Sequence, residues 1–229
     1  GFILGDKMPR EPRISALSAC WGIEGAPALL RDKFSEQEWK LYSKLLTKDQ
    51  PLQTSSLGRI FDAVASLLGI LDIQTYEGEA AMRLEAAAKR YFRTFGLDAV
   101  GSYFDQSLIS SEIPTHLLFN GLLKDMQAGK STEYIAAKYH ASLALLIRFV
   151  ARSLHIKKLA FSGGVFQNGM LVDLIHHHLG QDFELFFHQE LSPNDENISF
   201  GQVVCYQIDK RRQAITNNKI NDHVLSDSR

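Results

Sequence analysis

The spacing of apolar positions predicts a chain built mainly from helices. Apolar residues recur every three or four positions from Thr132 to Leu154, and this wide stripe predicts the longest helix. Ser35, with Glu38 three residues later, matches the capping box that begins a helix. Apolar spacing or helix-favouring composition predicts further helices at 14–20, 35–47, 58–69, 79–95 and 116–127.

The pattern changes in the last third of the chain. A short apolar segment at 158–161 is followed by Ser162-Gly163-Gly164 and then by a helical segment at 168–179. A second apolar segment at 183–188 precedes an apolar helix predicted at 198–208. This order of strand, glycine turn, helix and strand predicts an α/β fold in which helices dominate and a small mixed sheet forms late in the chain.

The segments between the predicted helices are irregular. Residues 1–13 are rich in glycine and proline and fit a lead-in, and residues 50–57 fit a loop. Residues 100–112 are mixed in character and compatible with strands. Because the last residues are polar, we divide the chain into a folded part at 1–208 and a polar, frayed tail at 209–229.

Composition narrows the class of protein. A hydrophobic fraction of 45% supplies a core and excludes a disordered chain, and 25 Lys+Arg against 26 Asp+Glu give no basic excess to attract nucleic acid or an anionic membrane. Cys20 and Cys205 form no CxxC motif, which excludes a zinc ribbon and favours a reducing, cytoplasmic compartment. The chain starts at Gly1 instead of Met, and its opening residues are typical of an internal segment, so we expect a piece of a longer protein.

The stretch from Ser162 to Asn168 is the most informative part of the sequence. Gly163 and Gly164 follow a predicted strand and let the backbone approach a ligand closely. The amides that begin the next helix favour an anion or a polar ribose, and Asn168 adds a donor and an acceptor. An ordinary strand-to-helix turn fits the same pattern, and spacing alone does not decide between the two.

Two acidic turns are further candidates. Asp195 follows Pro193-Asn194 at the mouth of a predicted helix, where a carboxylate suits a metal ion or a metal-bound phosphate. Spacing alone favours the alternative, an N-cap formed by Asp195 or Asn197. A turn between two helices carries Glu77 beside Gly78, and by itself it fits a solvated helix start.

The histidines do not predict a metal site. The adjacent His176, His177 and His178 project about 100° apart on a helix, so that segment alone cannot bring them to one ion. Metal-binding pairs on a helix need a spacing of three or four residues. We therefore expect the triplet at the helix surface, and we expect a structural role for His140, which lies beside the apolar stripe of the longest helix.

Four sequence blocks, in this order, resemble one family. They are residues 54–65 (TSSLGRIFDAVA), 76–81 (YEGEAA), 162–168 (SGGVFQN) and 193–202 (PNDENISFGQ). With the opening Gly5-Asp6-Lys7 and Arg10-Glu11-Pro12, they are similar to the C-terminal part of the hydrogenase-maturation carbamoyltransferases of the HypF family. The resemblance covers most of the chain but not residues 209–229.

The resemblance implies a fold and a reaction. The last domain of HypF-type proteins resembles the catalytic subunit of threonylcarbamoyladenosine synthesis, so we expect a helix-rich lobe of the two-lobed ASKHA fold of actin, hexokinase and Hsp70. In the implied reaction, carbamoyl phosphate and ATP give a carbamoyl-adenylate, and the carbamoyl group passes to a C-terminal cysteine of the partner HypE. Dehydration there gives the precursor of the cyanide ligand of [NiFe] hydrogenases. An ATP- or AMP-type nucleotide and a divalent metal (Mg, Fe or Zn) would bind in the cleft between the lobes.

The resemblance also implies roles for particular residues. Gly163-Gly164 and Asn168 would face the nucleotide, and Asp62 with the Glu77-Gly78 turn would border its ribose or base. Asp195 would be the metal ligand of this lobe. A Gly-Gly turn for close backbone approach and a carboxylate that holds a cation against phosphate charge agree with these roles.

Two departures from the family pattern limit the implied function. The family often has glycine after the loop aspartate, whereas this chain has Glu196-Asn197, which alters the loop or adds charge near the metal. The family's upstream His-x-x-x-His motif is not among the eight histidines here, and the acylphosphatase-like, zinc-finger and adenylate-forming domains are missing. We therefore expect one lobe that is inactive without the remainder of the HypF chain. The alternatives are a non-catalytic, truncated HypF-related module for nucleotide binding or interaction and, less favoured, a sugar-kinase-like protein.

Overall fold

Helices form most of the structure, a computed structural model that describes residues 7–47, 56–105, 113 and 115–226, with side chains to 212. The elements in chain order are α1 (Pro12–Cys20), α2 (Ala26–Leu30), α3 (Glu36–Leu46), α4 (Leu57–Leu67), α5 (Glu79–Phe95), α6 (Thr115–Gln127), α7 (Thr132–Ser153), β1 (Lys158–Phe161), α8 (Gly169–Leu179), β2 (Glu184–Phe187) and α9 (Ile198–Ser226). The chain divides into two compact units, a helical unit of Gly1–Ala160 with Asn168–Phe186 and a loop unit of Phe161–Gln167 with Phe187–Arg229.

The core of the helical unit follows from the apolar stripes of its helices. Helix α4 packs against α1 and α5, and α7 packs against α5 and α8. Phe61 of α4 meets Tyr139 of α7 edge to face, with ring centroids 5.0 Å apart, and both side chains are fully buried. Because such apolar burial is the main driving force of folding, these faces fix how the helices of the unit pack.

Side-chain caps define several of the predicted helix starts. The capping box is confirmed: the backbone amide of Glu38 donates to Ser35 Oγ, and the amide of Ser35 donates to the Glu38 carboxylate. Ser131 caps α7 by accepting from the amide of Tyr134. These bonds satisfy amides that have no partner inside the helix, which is why polar residues mark these ends in the sequence.

The predicted strand, turn, helix and strand are confirmed. Strands β1 and β2 form a two-stranded sheet, and helix α8 connects them, so the strands run parallel. The amide of Glu184 donates to the carbonyl of Lys157 at 2.9 Å, and the side chains of Lys158 and Glu184 form an ion pair across the strands. Both strand ends therefore lead into the loops that carry the candidate chemistry.

The loop unit contains a small aromatic cluster. Phe161 and Phe187 stack with centroids 4.5 Å apart, and Phe166 meets Phe161 edge to face at 5.1 Å. Helix α9 begins in this unit at Ile198 and continues to Ser226, well beyond the predicted end at Ile208. The segment just after Ile208 reads Lys210-Arg211-Arg212-Gln213-Ala214, and these residue types favour a helix, so polarity alone misplaced this end.

Some expectations differ from the structure or lie outside it. Residues 100–105 form no strand, because the amide of Tyr103 is held at 2.8 Å by Ser142 Oγ of α7 and not by a neighbouring strand. Expectations for 1–6, 50–55 and 106–112 lie outside the described residues. Cys20 is buried and Cys205 exposed, and both are free thiols. Among the described residues, none of the helices combines the length and the hydropathy required to cross a membrane.

Candidate functional site

Asp62 is a buried carboxylate on α4. Its side chain is 3% exposed, and its Oδ2 lies 2.9 Å from Nη1 of Arg59 as an ion pair without hydrogen-bond geometry. The side-chain nitrogen Nε2 of Gln74 lies 3.5 Å from Oδ1 of Asp62. Burial raises the pKa of Asp62 to about 6, although the charge of Arg59 acts in the opposite direction. A carboxyl group that titrates near neutral pH is a candidate functional group.

The Glu77-Gly78 turn lies in the same region as Asp62. The negative charge of Glu77 contributes to the raised pKa of Asp62, which requires the two carboxylates to be near each other. Gly78 begins α5 with φ +81°, a left-handed conformation that favours glycine. The side-chain carbonyl of Gln74 accepts from the amide of Ala80 at 2.9 Å and so fixes the turn to the start of α5.

Asn168 is buried at the start of α8. Its Oδ1 accepts from the amide of Leu171 at 2.9 Å, and its Nδ2 lies 3.1 Å from Nε2 of His140. Nδ1 of His140 lies 2.8 Å from the carbonyl of Ala136, so Nδ1 carries the proton and Nε2 accepts from Asn168. The polar atoms of Asn168 are therefore engaged inside the helical unit.

The two glycines of the 162–168 block lie beside the loop that precedes α9. The amide of Gly163, with φ +110°, donates to the carbonyl of Pro193 at 2.6 Å. Gly164 is exposed, and a Cβ added there would meet only Gln167 Oε1 at 3.9 Å and Asn194 Cβ at 4.0 Å, which is ordinary van der Waals contact. The space beside the Gly164 backbone is therefore open, and close approach of a ligand to Gly163-Gly164 stays a prediction.

Asp195 is exposed at the start of the 3-10 turn Asp195–Asn197. The cap of this turn is Asn194, whose Oδ1 accepts from the amide of Glu196 at 3.1 Å. An N-cap by Asp195 or Asn197 is therefore not what the structure shows at this turn. In the part of the chain that the structure describes, no side chain donates to the Asp195 carboxylate, which leaves both oxygens available to a cation.

A histidine outside the predicted motifs joins the two loops. His188 follows β2, and its Nε2 lies 3.0 Å from Ser162 Oγ, whereas its Nδ1 lies 2.9 Å from Nδ2 of Asn197. With the Asn197 amide donating to Nδ1, Nε2 carries the proton and donates to Ser162, which leaves the hydroxyl hydrogen of Ser162 free to donate to a ligand. The signal was the position of both residues just after parallel strands, because such strand ends meet at one edge of a sheet.

The predicted site residues thus fall into two sets. Asp62, Glu77 and Gly78 lie in one region of the helical unit, and Asn168 is bonded to His140 in the same unit. Gly163, Gly164 and Asp195 lie on adjoining loops of the loop unit. The first set supplies acidic and amide groups, and the second supplies open backbone, a hydroxyl and a free carboxylate.

One protein family matches most of this chain. The family model described as "Carbamoyltransferase, Kae1-like Domain, second subdomain" matches residues 2–202. The chain belongs to the HypF carbamoyltransferase family. Its fold is accordingly an α/β, helix-rich lobe of the ASKHA type, as the resemblance implies.

Relatives in the HypF family agree along most of the chain. The carbamoyltransferase HypF of Synechocystis is 33% identical over 165 residues, which cover 71% of this chain and 21% of that protein. The probable carbamoyltransferase HypF of Methanocaldococcus jannaschii is 28% identical over 210 residues, 90% of this chain and 27% of that protein. The chain therefore spans about a quarter of the length of these relatives.

Solved HypF structures share the fold. Full-length HypF in a phosphate- and nucleotide-bound form superposes with a TM-score of 0.65 at 24% identity, over 85% of this chain and 31% of that one. HypF of T. kodakarensis gives a TM-score of 0.64 at 24% identity, over 80% of this chain and 26% of that one. At this identity the likeness supports the fold alone.

The HypF resemblance implies a divalent cation, and the loop unit offers one ligand for it. Asp195 offers one unpartnered, exposed carboxylate, which is a suitable ligand for Mg²⁺ or another divalent ion. Within the described ranges, the one grouping of three potential ligands is elsewhere, in the helical unit. The remaining ligands of a cation at Asp195 would therefore be phosphate oxygens, water or protein groups outside these residues.

Proposed function

We propose that this chain forms the nucleotide-facing second subdomain of a HypF-type carbamoyltransferase. The observation that carries the proposal is the pairing of the exposed Gly164 backbone with the loop of Asp195, whose carboxylate has no described partner. An open backbone and a free carboxylate on adjoining loops suit a phosphate chain with its cation. The family match and the nucleotide bound to a HypF of the same fold support this reading.

The proposed reaction is that of the family. Carbamoyl phosphate and ATP would give a carbamoyl-adenylate, and the carbamoyl group would pass to the C-terminal cysteine thiol of a HypE-type partner. A divalent ion at Asp195 would offset phosphate charge when it is bound. Gly163 shapes the turn, Gly164 admits the nucleotide, and Ser162 donates a hydrogen bond to it. Asp62 and the Glu77-Gly78 turn would border the ribose or base.

We also propose that the remainder of a HypF chain completes the site, so that this chain alone does not catalyse the transfer. The chain spans about a quarter of its relatives' length. Its helix α9 exposes large apolar side chains, which is typical of a surface covered by other protein. These residues are Ile198, Phe200, Val203, Tyr206 and Ile208.

Titration of the ¹⁵N-labelled chain with ATP and Mg²⁺ tests nucleotide binding. We expect the amide signals of Gly164 and Asp195 to shift at millimolar ATP, and thermal stabilisation to stay below about 0.5 kcal/mol, which corresponds to ligand at about its Kd. Gly164→Val should abolish these shifts by blocking backbone approach. Asp195→Asn should weaken them and remove their dependence on Mg²⁺.

Matched variants make the titration decisive. Gly101 is also exposed with open space around it, so Gly101→Val serves as the control substitution outside the loops. Unchanged shifts in a folded Gly164→Val variant would remove Gly164 from the site. Strong binding by the isolated chain, with a large rise in melting temperature, would contradict the need for the rest of HypF.

A non-catalytic HypF-related module is the second candidate. One observation favours it: Asn168 and Asp62, two of the implied nucleotide contacts, already have partners inside the helical unit. Carbamoyl transfer to a HypE-type protein separates the candidates when this chain replaces the equivalent segment of a complete HypF. Activity of that chimera supports the enzyme, and nucleotide binding without transfer supports the module.

A further inference from the structure

The helical unit contains a second cluster of ligand-type side chains, which the proposed nucleotide site does not use. Asp98, His177 and His178 each offer one ligand atom, and these atoms lie within 4.8 Å of one another. We propose that these three residues bind one divalent transition-metal ion of the zinc class. The site is independent of the proposed carbamoyltransferase function.

Two distant segments build the cluster. Helix α5 ends at Phe95, and Asp98 follows in the exposed turn beyond it. Helix α8 contributes the two histidines from its last turn. Nε2 of His177 lies 2.9 Å from Oδ1 of Asp98, and the ligand atoms of the two histidines also lie within 4.8 Å of each other, although adjacent side chains on one helix are expected to diverge.

His178 is the least expected member of the cluster. The three adjacent histidines predict surface positions, and His176 and His177 are exposed, but His178 is half-buried. Its Nε2 is inaccessible to solvent and has no hydrogen-bond partner among the described residues. A buried, unpaired imidazole nitrogen costs free energy, which a metal ion would recover.

Helix α8 ends at the cluster, and the end of a helix favours a cation. The carbonyl end of α8 adds partial negative charge at the same place.

The distances are compatible with coordination after small side-chain rotations. Zinc lies about 2.0–2.1 Å from nitrogen or oxygen ligands, which places tetrahedral ligand atoms about 3.3 Å apart. The ligand atoms that Asp98, His177 and His178 offer lie within 4.8 Å of one another, so each has to move by only about 1–2 Å to reach that spacing. Three protein ligands leave one position for water.

The surrounding charges do not prevent a cation. The cluster lines a cavity of about 280 Å³ that also contains Arg148 and Asp182. Arg148 and Arg152 both pair with Asp182, at 3.0 and 2.6 Å, so the guanidinium nearest the cluster is already partly neutralised. Two carboxylates in the cavity disfavour an anion. Two imidazoles and one carboxylate favour zinc, cobalt or nickel over Mg²⁺ and Ca²⁺.

Titration of the metal-free chain with Zn²⁺, and separately with Co²⁺, tests the site. We expect one Zn²⁺ per chain by calorimetry and visible absorption of four-coordinate Co²⁺. His178→Gln, His177→Gln and Asp98→Asn should each weaken binding at least tenfold. Circular dichroism of each variant verifies that α8 is intact.

Two control variants keep the proposal falsifiable. His176→Gln removes the neighbouring exposed histidine of the same turn, and Asp173→Asn removes an exposed carboxylate of the same helix outside the cluster. Each should change affinity less than twofold. Three results would overturn the site. They are a loss of Zn²⁺ affinity in His176→Gln equal to that in the cluster variants, full Zn²⁺ affinity in His178→Gln, and Co²⁺ absorption of the six-coordinate type only.

Discussion

The side-chain amide of Asn168 donates to Nε2 of His140 across 3.1 Å inside the helical unit. Asn168 is the N-cap of α8, His140 lies in α7, and both are buried. Nδ1 of His140 donates to the carbonyl of Ala136, and Oδ1 of Asn168 accepts from the amide of Leu171. One buried chain of hydrogen bonds therefore joins the start of α8 to the middle of α7.

Asn168→Ala should destabilise the helical unit by about 2–4 kcal/mol. The variant loses an N-cap, worth about 1 kcal/mol, and leaves the buried Nε2 of His140 without a donor, which costs about 1–3 kcal/mol. Urea unfolding followed by circular dichroism measures the change. Asn168→Ser keeps a capping oxygen but loses the bond to His140, so it should fall between wild type and Asn168→Ala. A loss below about 0.5 kcal/mol in Asn168→Ala would contradict the bond.

His140 should make stability depend on pH in the acid range. Burial lowers its pKa to about 4 from an unfolded value of 6.5, so the unfolded chain binds more protons between these values. Its contribution is therefore complete above pH 6.5 and declines as the pH falls towards 4, by roughly 3 kcal/mol. The difference in unfolding free energy between wild type and His140→Gln, measured from pH 4 to 7, isolates this contribution. A difference that is constant with pH would count against the buried neutral imidazole.

Asp62 should make stability fall as the pH rises, which is opposite to the effect of His140. Its pKa is about 6 in the folded chain and 3.8 when unfolded, so the folded state binds more protons between these values and loses stability as the pH rises through them. Asp62→Asn removes this penalty. Between pH 4 and 6, the free energy of unfolding of the variant should rise relative to that of wild type by up to about 3 kcal/mol. Loss of the pairing with Arg59 reduces this gain. Urea unfolding at both pH values measures the gain. Equal pH slopes for the two proteins would contradict the raised pKa.

Local features of the sequence predicted most helix boundaries, because they depend on residues close in sequence. Ser35 and Glu38 form the predicted capping box, and α5 occupies the predicted residues 79–95. The strand, turn, helix and strand order after Lys157 rests on equally local signals.

Contacts between distant segments were beyond prediction from one sequence. The bond from Asn168 reaches His140 across 28 residues, and that from His177 reaches Asp98 across 79. The Asn168 amide was therefore expected to be open to a ligand, although it has a partner. The partner of His188 likewise becomes visible only when two parallel strands place Ser162 beside it.

Gly163→Ala should loosen the glycine loop, whereas Gly164→Ala should not. Gly163 has φ +110°, which costs a residue with a side chain about 1–3 kcal/mol. Gly164 lacks a positive φ, and a Cβ there meets neighbours at ordinary distances, so its alanine variant should stay within about 0.5 kcal/mol of wild type. The readout is hydrogen exchange of the residue 163 amide, which donates to Pro193 in the folded loop. We expect exchange to accelerate about 5- to 150-fold in Gly163→Ala. Equal exchange in both variants would show that the conformation of Gly163 does not hold the two loops together.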